Sequence, residues 1–277
     1  MTTKLPDNIT IINWPTDHVL AFTTNRLPSS HQLPVGNLQD SSSTTLKQKE
    51  QRSAFSAFNL GDHVGDCAEH VALNRKSLLQ YLPKQAKIQW FEQVHGNHVA
   101  EVLDYENKAI VADAAITRNP HIALAIMTAD CLPILLSNKE GSEVAAIHGG
   151  WRPLSSNIIA RTIAKMHSSP SDIVAWMGPC IGAKRFEVGQ EVKDVFCQMS
   201  ADFSAAFSPF KSTLIDIKEL KYCADLQHIA KLQLLNLGVN NIMQLVDCTY
   251  SNKEKYYSYR RDNITGRMAS VICLKST

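Results

Sequence analysis

The chain has 277 residues, of which 44% are hydrophobic, and its formal net charge at pH 7 is only +2. This composition is typical of a globular protein with a sizeable core. The mixed charges exclude a strongly basic surface for nucleic acid or for an anionic membrane, so small molecules are the expected partners.

The cysteines and the N-terminal segment indicate the compartment. Seven cysteines are widely spaced and include no C-x-x-C pair, which argues against a disulfide framework and against a zinc ribbon. We therefore expect a reducing, cytoplasmic environment. No basic segment is followed by an apolar core near the N-terminus, and no apolar run reaches about 18 residues, so we expect neither a signal peptide nor a transmembrane helix.

The N-terminal third alternates between β-type runs and polar segments. Residues 9–24 contain two short β-type runs that are broken at Pro15, and a polar stretch at about residues 29–56 predicts a mobile insertion. Asp66 and Glu69 match a capping box and predict a helix that Pro83 ends. The predicted apolar face of this helix consists of Val71, Leu78, Leu79 and Leu82.

The central third predicts a sheet. KIQWFEQVHG and HVAEVL are β-type runs on either side of a turn at Gly96 and Asn97, so His95 and His98 flank that turn. Residues 122–147 have the pattern of buried strands, with a turn signal at residues 138–142. After His148, helical spacing of apolar residues predicts one helix over residues 154–167, with Pro153 at its first position.

The C-terminal third predicts further strands and helices. DIVAWMGPCIG indicates a buried strand and EVKDVFCQM a short helix, while Asp216 and Glu219 predict the cap of a longer helix that runs to Leu237 and stops at Gly238. NIMQLVD, YYSYRRD and RMASVICL predict strands. Because no repeat or linker interrupts this order, we predict a single α+β domain.

Three soft donors stand at the ends of predicted strands, namely His95, Cys131 and His148. Imidazole and thiolate are good zinc ligands, and three protein ligands leave the fourth position that a catalytic zinc needs for water. Such a zinc lowers the pKa of its water to about 7. The intervals between these residues match no local zinc motif.

The same residues also suit a nucleophilic dyad. A Cys131 thiolate could attack a carbonyl with His148 as its base and Asp130 orienting the imidazole. Spacing does not distinguish this dyad from a metal site.

Arginines near the predicted site are candidate anion contacts. Arg152 lies beside the predicted helix start, and Arg260, Arg261 and Arg267 offer bidentate donors if the substrate carries phosphate. Arginines next to Asp262 also suit surface ion pairs. We expect His63, His70 and His98 to be partly exposed or packing histidines, although His63 in the glycine turn could line a pocket, and we assign Cys180 to structure.

Six motifs in order resemble the laccase-domain, polyphenol-oxidase-like family from about residue 12 to residue 274. They are FNLGDHVGD, QVHG, TADCLPILL, AAIHGGWR, GPCIGAKRFEVG and CTYSNKEKYYSYRRDNITGRMA. The resemblance implies zinc-dependent purine nucleoside phosphorylases with adenosine deaminase activity, acting on adenosine, inosine and methylthioadenosine. It also implies that the metal ligands are His95, Cys131 and His148, and that helices sandwich mixed β-sheets.

The sequence departs from the family pattern and from the family name. Gly149 and Pro153 replace the alanine and last glycine of the usual HAGWRG block, and the polar insertion is longer than expected. None of the ten histidines is two residues from another, whereas multicopper oxidases build their trinuclear cluster from H-x-H pairs. Copper bound to a His2Cys site would then be adventitious.

Three alternatives stay open at this point. The substrate could be a peptidoglycan precursor whose wrong amino acid is removed by amide hydrolysis. The Cys131–His148 dyad could act without metal. A protein of a different class would hold a structural metal and catalyse nothing. The sequence does not indicate an oligomeric state.

Overall fold

The computed structural model describes residues 7–28, 54–210 and 220–275. The strands of the first half are β1 (Ile9–Ile11), β2 (Val19–Thr24), β3 (Lys87–Gln89), β4 (Phe91–Glu92), β5 (Val99–Glu101), β6 (Ile110–Val111), β7 (Ala114–Thr117) and β8 (Ile122–Thr128). Those of the second half are β9 (Leu132–Asn138), β10 (Val144–Gly149), β11 (Ile173–Met177), β12 (Glu187–Gly189), β13 (Phe207–Pro209), β14 (Lys221–Ala224), β15 (Asn241–Gln244) and β16 (Met268–Leu274). The α-helices are α1 (Ala68–Leu78), α2 (Trp151–Ser155), α3 (Ile158–Ile163), α4 (Gln190–Met199), α5 (Leu226–Asn236) and α6 (Tyr259–Asp262).

Two large mixed sheets form the centre of the fold. The first has the strand order β1-β2-β16-β8-β3, and the second has the order β15-β11-β9-β10-β7-β5. Most neighbours are antiparallel, but β3 pairs with β8 in parallel, as do β5 with β7 and β11 with β15. Smaller sheets are formed by β12-β14-β13 and by β4-β6.

The two large sheets pack face to face and helices cover their outer faces. One apolar core lies between the sheets and contains Leu124 of the first sheet and Leu135 of the second. A second core lies between the second sheet and helices α2 to α5, and a third contains Leu78 of α1 together with the outer face of the first sheet. The α+β class and the sandwich of helices around mixed sheets are therefore confirmed.

Side-chain alternation explains why residues 122–128 form a strand that is buried on both faces. Leu124 and Ile126 point into the core between the sheets, whereas Ala123 and Ala125 point toward the outer core. Successive strand residues face opposite sides, so a strand covered on both sides is apolar throughout. The predicted strand over this stretch is confirmed.

The predicted helix over residues 154–167 is two short helices instead. Helix α2 begins at Trp151, with Pro153 as its third residue, and ends at Ser155. Asn157 then adopts a left-handed conformation with φ 61°, and α3 follows. Asparagine tolerates this region better than most residues, and the left-handed residue interrupts the helical hydrogen bonds.

The predicted helix that ends at Leu237 starts later than expected. Residues 221–224 form strand β14, and the side chain of Asp225 caps α5 by accepting a hydrogen bond from the His228 N–H at 3.0 Å. The predicted cap at Asp216 lies outside the described residues. Gly238 follows the helix with φ +91°, which confirms the predicted stop.

Two further local predictions were wrong. YYSYRRD is not a strand: Tyr256 and Tyr257 are buried, and Ser258 caps the short helix α6 by accepting from the Arg261 N–H. Asp66 does not cap α1 either, because the N-cap residue is Cys67 and Asp66 instead accepts hydrogen bonds from Asn59 and Cys67.

Residues 29–53 of the predicted mobile insertion lie outside the described residues. Among the helices that the structure describes, none is both long enough and apolar enough to cross a membrane.

Replacing Asp225 with alanine tests the corrected start of α5. Loss of the hydrogen bond to the His228 N–H should lower the free energy of unfolding by about 1 kcal/mol, measured by urea denaturation. Asp225→Asn is the matched control, because asparagine also caps helices and should cost only a few tenths of a kcal/mol. An alanine variant as stable as the wild type would contradict the cap.

Candidate metal centre

The turn that carries Cys131 links the two large sheets. Strand β8 belongs to the first sheet and β9 to the second, so residues 129–131 cross from one sheet to the other. Asp130 adopts φ 95° within this turn. Its carbonyl accepts a hydrogen bond from the Ile181 N–H at 2.9 Å, which fixes the crossing immediately before Cys131.

His148 lies near the end of β10, opposite Pro133 at the start of β9. It is buried, and its Nδ1 lies 2.8 Å from Oδ1 of Asp113, a fully buried carboxylate just before β7. The His148 N–H also donates to the Asp113 carbonyl at 2.7 Å. Because Asp113 accepts from Nδ1, Nε2 is the ring nitrogen that is free to bind a metal.

Asp113 also holds the turn that carries His95. Its carboxylate accepts hydrogen bonds from the backbone N–H groups of His95 at 2.9 Å and Gly96 at 2.6 Å. His95 itself has φ 58°. Gln93 fixes the other side of this turn, because its side-chain amide exchanges two 2.8 Å hydrogen bonds with the backbone of Met127 at the end of β8.

The structure brings the three predicted donors together. The ligand atoms of His95, Cys131 and His148 all lie within 4.8 Å of one another, and Sγ of Cys131 lies 3.8 Å from Nε2 of His95. In a tetrahedral zinc site with Zn–S about 2.3 Å and Zn–N about 2.0–2.1 Å, the S···N edge is about 3.6 Å. The residues present therefore fit a metal ion of this kind.

Gly150 leaves room for this cluster. A Cβ atom at position 150 would lie 3.0 Å from Sγ of Cys131 and 3.3 Å from Cδ2 of His95. At the neighbouring Gly149, where the usual family block has alanine, a Cβ atom would lie 2.8 Å from the Leu132 carbonyl oxygen. Both glycines thus let β10 approach the Cys131 turn closely.

The pKa values of Cys131 and His148 are strongly shifted. Burial raises the pKa of the Cys131 thiol, but the charge of His148 and hydrogen bonds from both histidines outweigh this effect and bring the pKa to about 6. Burial lowers the pKa of His148, whereas the Cys131 thiolate and Asp113 raise it to about 9. Without a metal, the two groups therefore form a thiolate–imidazolium pair near neutral pH.

The prediction that Asp130 orients His148 is wrong, because Asp113 does so. The Asp130 carboxylate is turned toward the C-terminal region, where it accepts from Oγ1 of Thr249 at 2.6 Å, Oγ of Ser258 at 3.0 Å and the Arg260 N–H at 2.7 Å. Asp130 therefore anchors the Cys131 turn to the segment around α6.

The predicted phosphate contacts differ in their surroundings. Arg152 is exposed, and its guanidinium stacks on the ring of Trp151 at 4.5 Å. The Arg260 guanidinium donates to the Glu187 carbonyl at 3.0 Å and lies over Phe186. Arg261 pairs with Asp262 and donates to three backbone carbonyls, as expected for a structural ion pair. Phosphate binding by Arg152 and Arg260 stays a prediction.

Within the described residues, His63, His70, His98 and Cys180 are not part of the metal-ligand cluster. His63 lies beside Asp62 at an exposed position, and Cys180 is buried with a raised pKa. The exposed position of His63 agrees with the prediction of a partly exposed histidine, and the burial of Cys180 agrees with its assignment to structure.

The roles of Asp113 and Gln93 were not predicted from the sequence. Asp113 is an acid between apolar residues in IVADAAI, and a carboxylate buried in such a run needs hydrogen-bond donors. An acidic residue within an apolar run was therefore the sequence feature that could have identified Asp113. Gln93 lies two residues before His95, but nothing in its sequence context shows that Met127 is its partner.

Comparisons with known proteins agree with the resemblance. A family model described as multi-copper polyphenol oxidoreductase laccase matches residues 42–275. The purine nucleoside phosphorylase YfiH of Escherichia coli (strain K12) is 42% identical over 220 residues, which cover 79% of this chain and 87% of the relative. A purine nucleoside phosphorylase of Haemophilus influenzae is 41% identical over 229 residues, covering 83% and 91% of the two chains.

Solved structures have the same fold. The crystal structure of Neisseria meningitidis protein NMB0706 matches with a TM-score of 0.82 and 34% identity, and covers 98% of this chain and 100% of that chain. The structure of YlmD from Geobacillus stearothermophilus matches with a TM-score of 0.74 and 26% identity, covering 95% and 94%.

Replacing Asp113 with asparagine should weaken zinc binding by about 10- to 100-fold, because the variant loses the carboxylate that holds His148 and the His95 turn. Zinc affinity is measured by competition with a chromogenic chelator. Asp104→Asn, which removes an exposed carboxylate, is the control and should bind zinc like the wild type. Equal affinities for wild type and Asp113→Asn would show that Asp113 does not support the site.

The pKa of about 6 at Cys131 predicts its reactivity in chelator-treated protein. Alkylation by iodoacetamide should rise with pH and reach half its maximum near pH 6, since the thiolate is the nucleophile. Peptide mass spectrometry resolves the sites. Cys223, whose pKa is raised, is an internal control that should react only at higher pH. A Cys131 midpoint above pH 8 would contradict the thiolate–imidazolium pair.

Proposed function

This chain belongs to the multi-copper polyphenol oxidoreductase laccase family, and from that membership we propose that it is a zinc-dependent purine nucleoside phosphorylase. Its proposed substrates are adenosine, inosine and methylthioadenosine with phosphate, and it also deaminates adenosine. The relatives named purine nucleoside phosphorylase support the reaction class. The observation that carries the proposal is the His95–Cys131–His148 cluster.

Two observations favour zinc over the copper of the family description. Imidazole nitrogen and thiolate sulfur are both zinc ligands, and the 3.8 Å Sγ–Nε2 distance is close to the edge of a tetrahedral zinc site. The sequence has no H-x-H pair from which a trinuclear copper cluster could be built. Since copper exceeds zinc in intrinsic affinity, copper in purified protein would be adventitious.

The placement of the donors leaves one side of the cluster open. His148 is buried and Cys131 is half-buried, but His95 is exposed, so a substrate can approach from the His95 side. When bound, zinc supplies a Lewis acid that activates water for deamination and stabilises negative charge on a departing purine. Asp113 keeps the His148 proton on Nδ1, and Arg152 and Arg260 are the predicted contacts for phosphate.

A second candidate is a metal-independent hydrolase that uses Cys131 as nucleophile and His148 as acid and base. The pKa values of about 6 and about 9 favour this candidate, because they create a ready thiolate beside a proton donor. The two candidates differ in their response to chelation. The dyad resists chelators and is blocked by thiol reagents, whereas the zinc enzyme loses activity with its metal and regains it with zinc.

The proposed partners are purine nucleosides and phosphate. The near-neutral net charge favours neither nucleic acid nor a membrane surface, and the free cysteines favour the cytoplasm.

Metal analysis and product analysis together test this function. Protein purified without added metal should contain about one zinc per chain, and incubation with adenosine should give inosine without phosphate and adenine only with phosphate, as resolved by liquid chromatography. Cys131→Ala should lose zinc because it removes a ligand, and its rates of deamination and phosphorolysis should both fall at least about 100-fold. Cys197→Ser, which alters a thiol on α4 outside the cluster, should keep both.

Two outcomes would contradict the proposal. A Cys131→Ala protein that lacks zinc but converts adenosine at the wild-type rate would exclude the metal from the reaction. Wild-type protein that releases neither inosine nor adenine would favour amide hydrolysis of a peptidoglycan precursor or a non-catalytic role.

A further inference from the structure

Arg267 lies at the same end of the sandwich as the candidate metal centre. We propose that Arg267 binds the phosphate co-substrate there and that it contributes more to phosphate binding than Arg152 or Arg260. This inference rests on the proposed function, which requires phosphate. It assigns Arg267 as the residue that binds that phosphate.

Strand register places Arg267 beside the crossing turn. Met268, the first residue of β16, pairs with Thr128, the last residue of β8. Arg267 therefore precedes β16 where Asp130 and Cys131 follow β8. The Asp130 and Cys131 charges act on the Arg267 guanidinium, which agrees with this placement.

The segment around Asn59 holds Arg267 from the other side. The Arg267 N–H donates to Oδ1 of Asn59 at 2.8 Å, and its carbonyl accepts from the Leu60 N–H at 3.1 Å. The aliphatic part of the side chain packs over Gly61, where a Cβ atom would lie 2.8 Å from Cγ of Arg267. Gly61 therefore fixes the direction of the Arg267 side chain.

The guanidinium is anchored at one nitrogen only. Its Nη1 donates to the carbonyls of Thr265 and Gly266, both at 3.0 Å. Within the described residues, Nε and Nη2 have no hydrogen-bond partner, and no carboxylate oxygen lies within 4.0 Å of the guanidinium. By contrast, Arg75, Arg118 and Arg261 each pair with a carboxylate.

This combination points to an anionic ligand. Arg267 is half-buried, and burial lowers its pKa, so its charge is partly desolvated without an ion pair. A desolvated charge is stable when an anion or strong acceptors compensate it. The free Nε and Nη2 atoms form the planar pair of donors that binds two phosphate oxygens side by side.

The nearby negative groups do not prevent phosphate binding. The Asp130 carboxylate already accepts from Thr249, Ser258 and the Arg260 N–H, and these donors compensate its charge. The Cys131 thiolate is a proposed zinc ligand, and a divalent ion there offsets its charge.

Calorimetric titration with inorganic phosphate tests the assignment on zinc-loaded full-length protein. Arg267→Gln should bind phosphate at least about tenfold more weakly than the wild type, because two charge-assisted hydrogen bonds are lost. Arg267→Lys should lie between them, since it keeps the charge but not the planar fork. Adenosine affinity should change less than about twofold in Arg267→Gln and in Arg267→Lys. Arg152→Gln and Arg260→Gln are comparison variants, and each should lose less phosphate affinity than Arg267→Gln.

Gly61→Ala is an independent second variant. The added Cβ displaces the Arg267 stem while the guanidinium is retained, so phosphate affinity should again fall and adenosine affinity should hold. Circular dichroism and thermal unfolding check that each variant is folded.

Several results would overturn the inference. They are a wild-type protein that does not bind phosphate, an Arg267→Gln protein with unchanged phosphate affinity, an equal loss of adenosine affinity, and a larger phosphate effect at Arg152 or Arg260. Because binding is measured without turnover, phosphate held by Arg267 in a protein that cleaves no nucleoside would refute the proposed function and leave this assignment intact.

Discussion

The buried carboxylate of Asp113 is the interaction on which the candidate metal centre depends. It accepts hydrogen bonds from the His95 and Gly96 N–H groups and from Nδ1 of His148. Burial raises the pKa of the Asp113 carboxyl, but these donors outweigh burial and lower the pKa. One ionised side chain thereby positions two of the three donors, which explains how a histidine in a turn and a histidine in strand β10 share one site.

The two-sheet architecture makes this arrangement rigid. Cys131 follows the crossing from β8 to β9, His148 lies at the end of β10, and His95 lies in a turn fixed to both Asp113 and Met127. Each donor thus stands within a few residues of a buried strand. Packed strands hold such positions with little freedom, so the donors need little reorganisation when an ion binds.

The parts of the fold that follow local patterning were predictable, and the parts set by distant contacts were not. The strands over residues 122–147 were predicted because their apolar side chains indicate burial on both faces. YYSYRRD was misassigned because aromatic residues favour strands, whereas here Ser258 caps a helix. Asp130 was chosen over Asp113 because adjacency to Cys131 is visible in a sequence and the pairing of β7 with β10 is not. His95, Cys131 and His148 were predicted as donors because they stand at the ends of predicted strands and because the family resemblance implies them as metal ligands.

The crossing turn between the sheets also links metal binding to folding. The cluster joins residues that are 36 positions apart in the case of His95 and Cys131, so an unfolded chain offers no matching site. An ion that binds only the folded state stabilises it by mass action, by about 4 kcal/mol when the free ion is 1,000-fold above its Kd. A metal held here would therefore crosslink the turn between β4 and β5, the turn between β8 and β9, and the end of β10, and chelation would destabilise the fold as well as remove its chemistry.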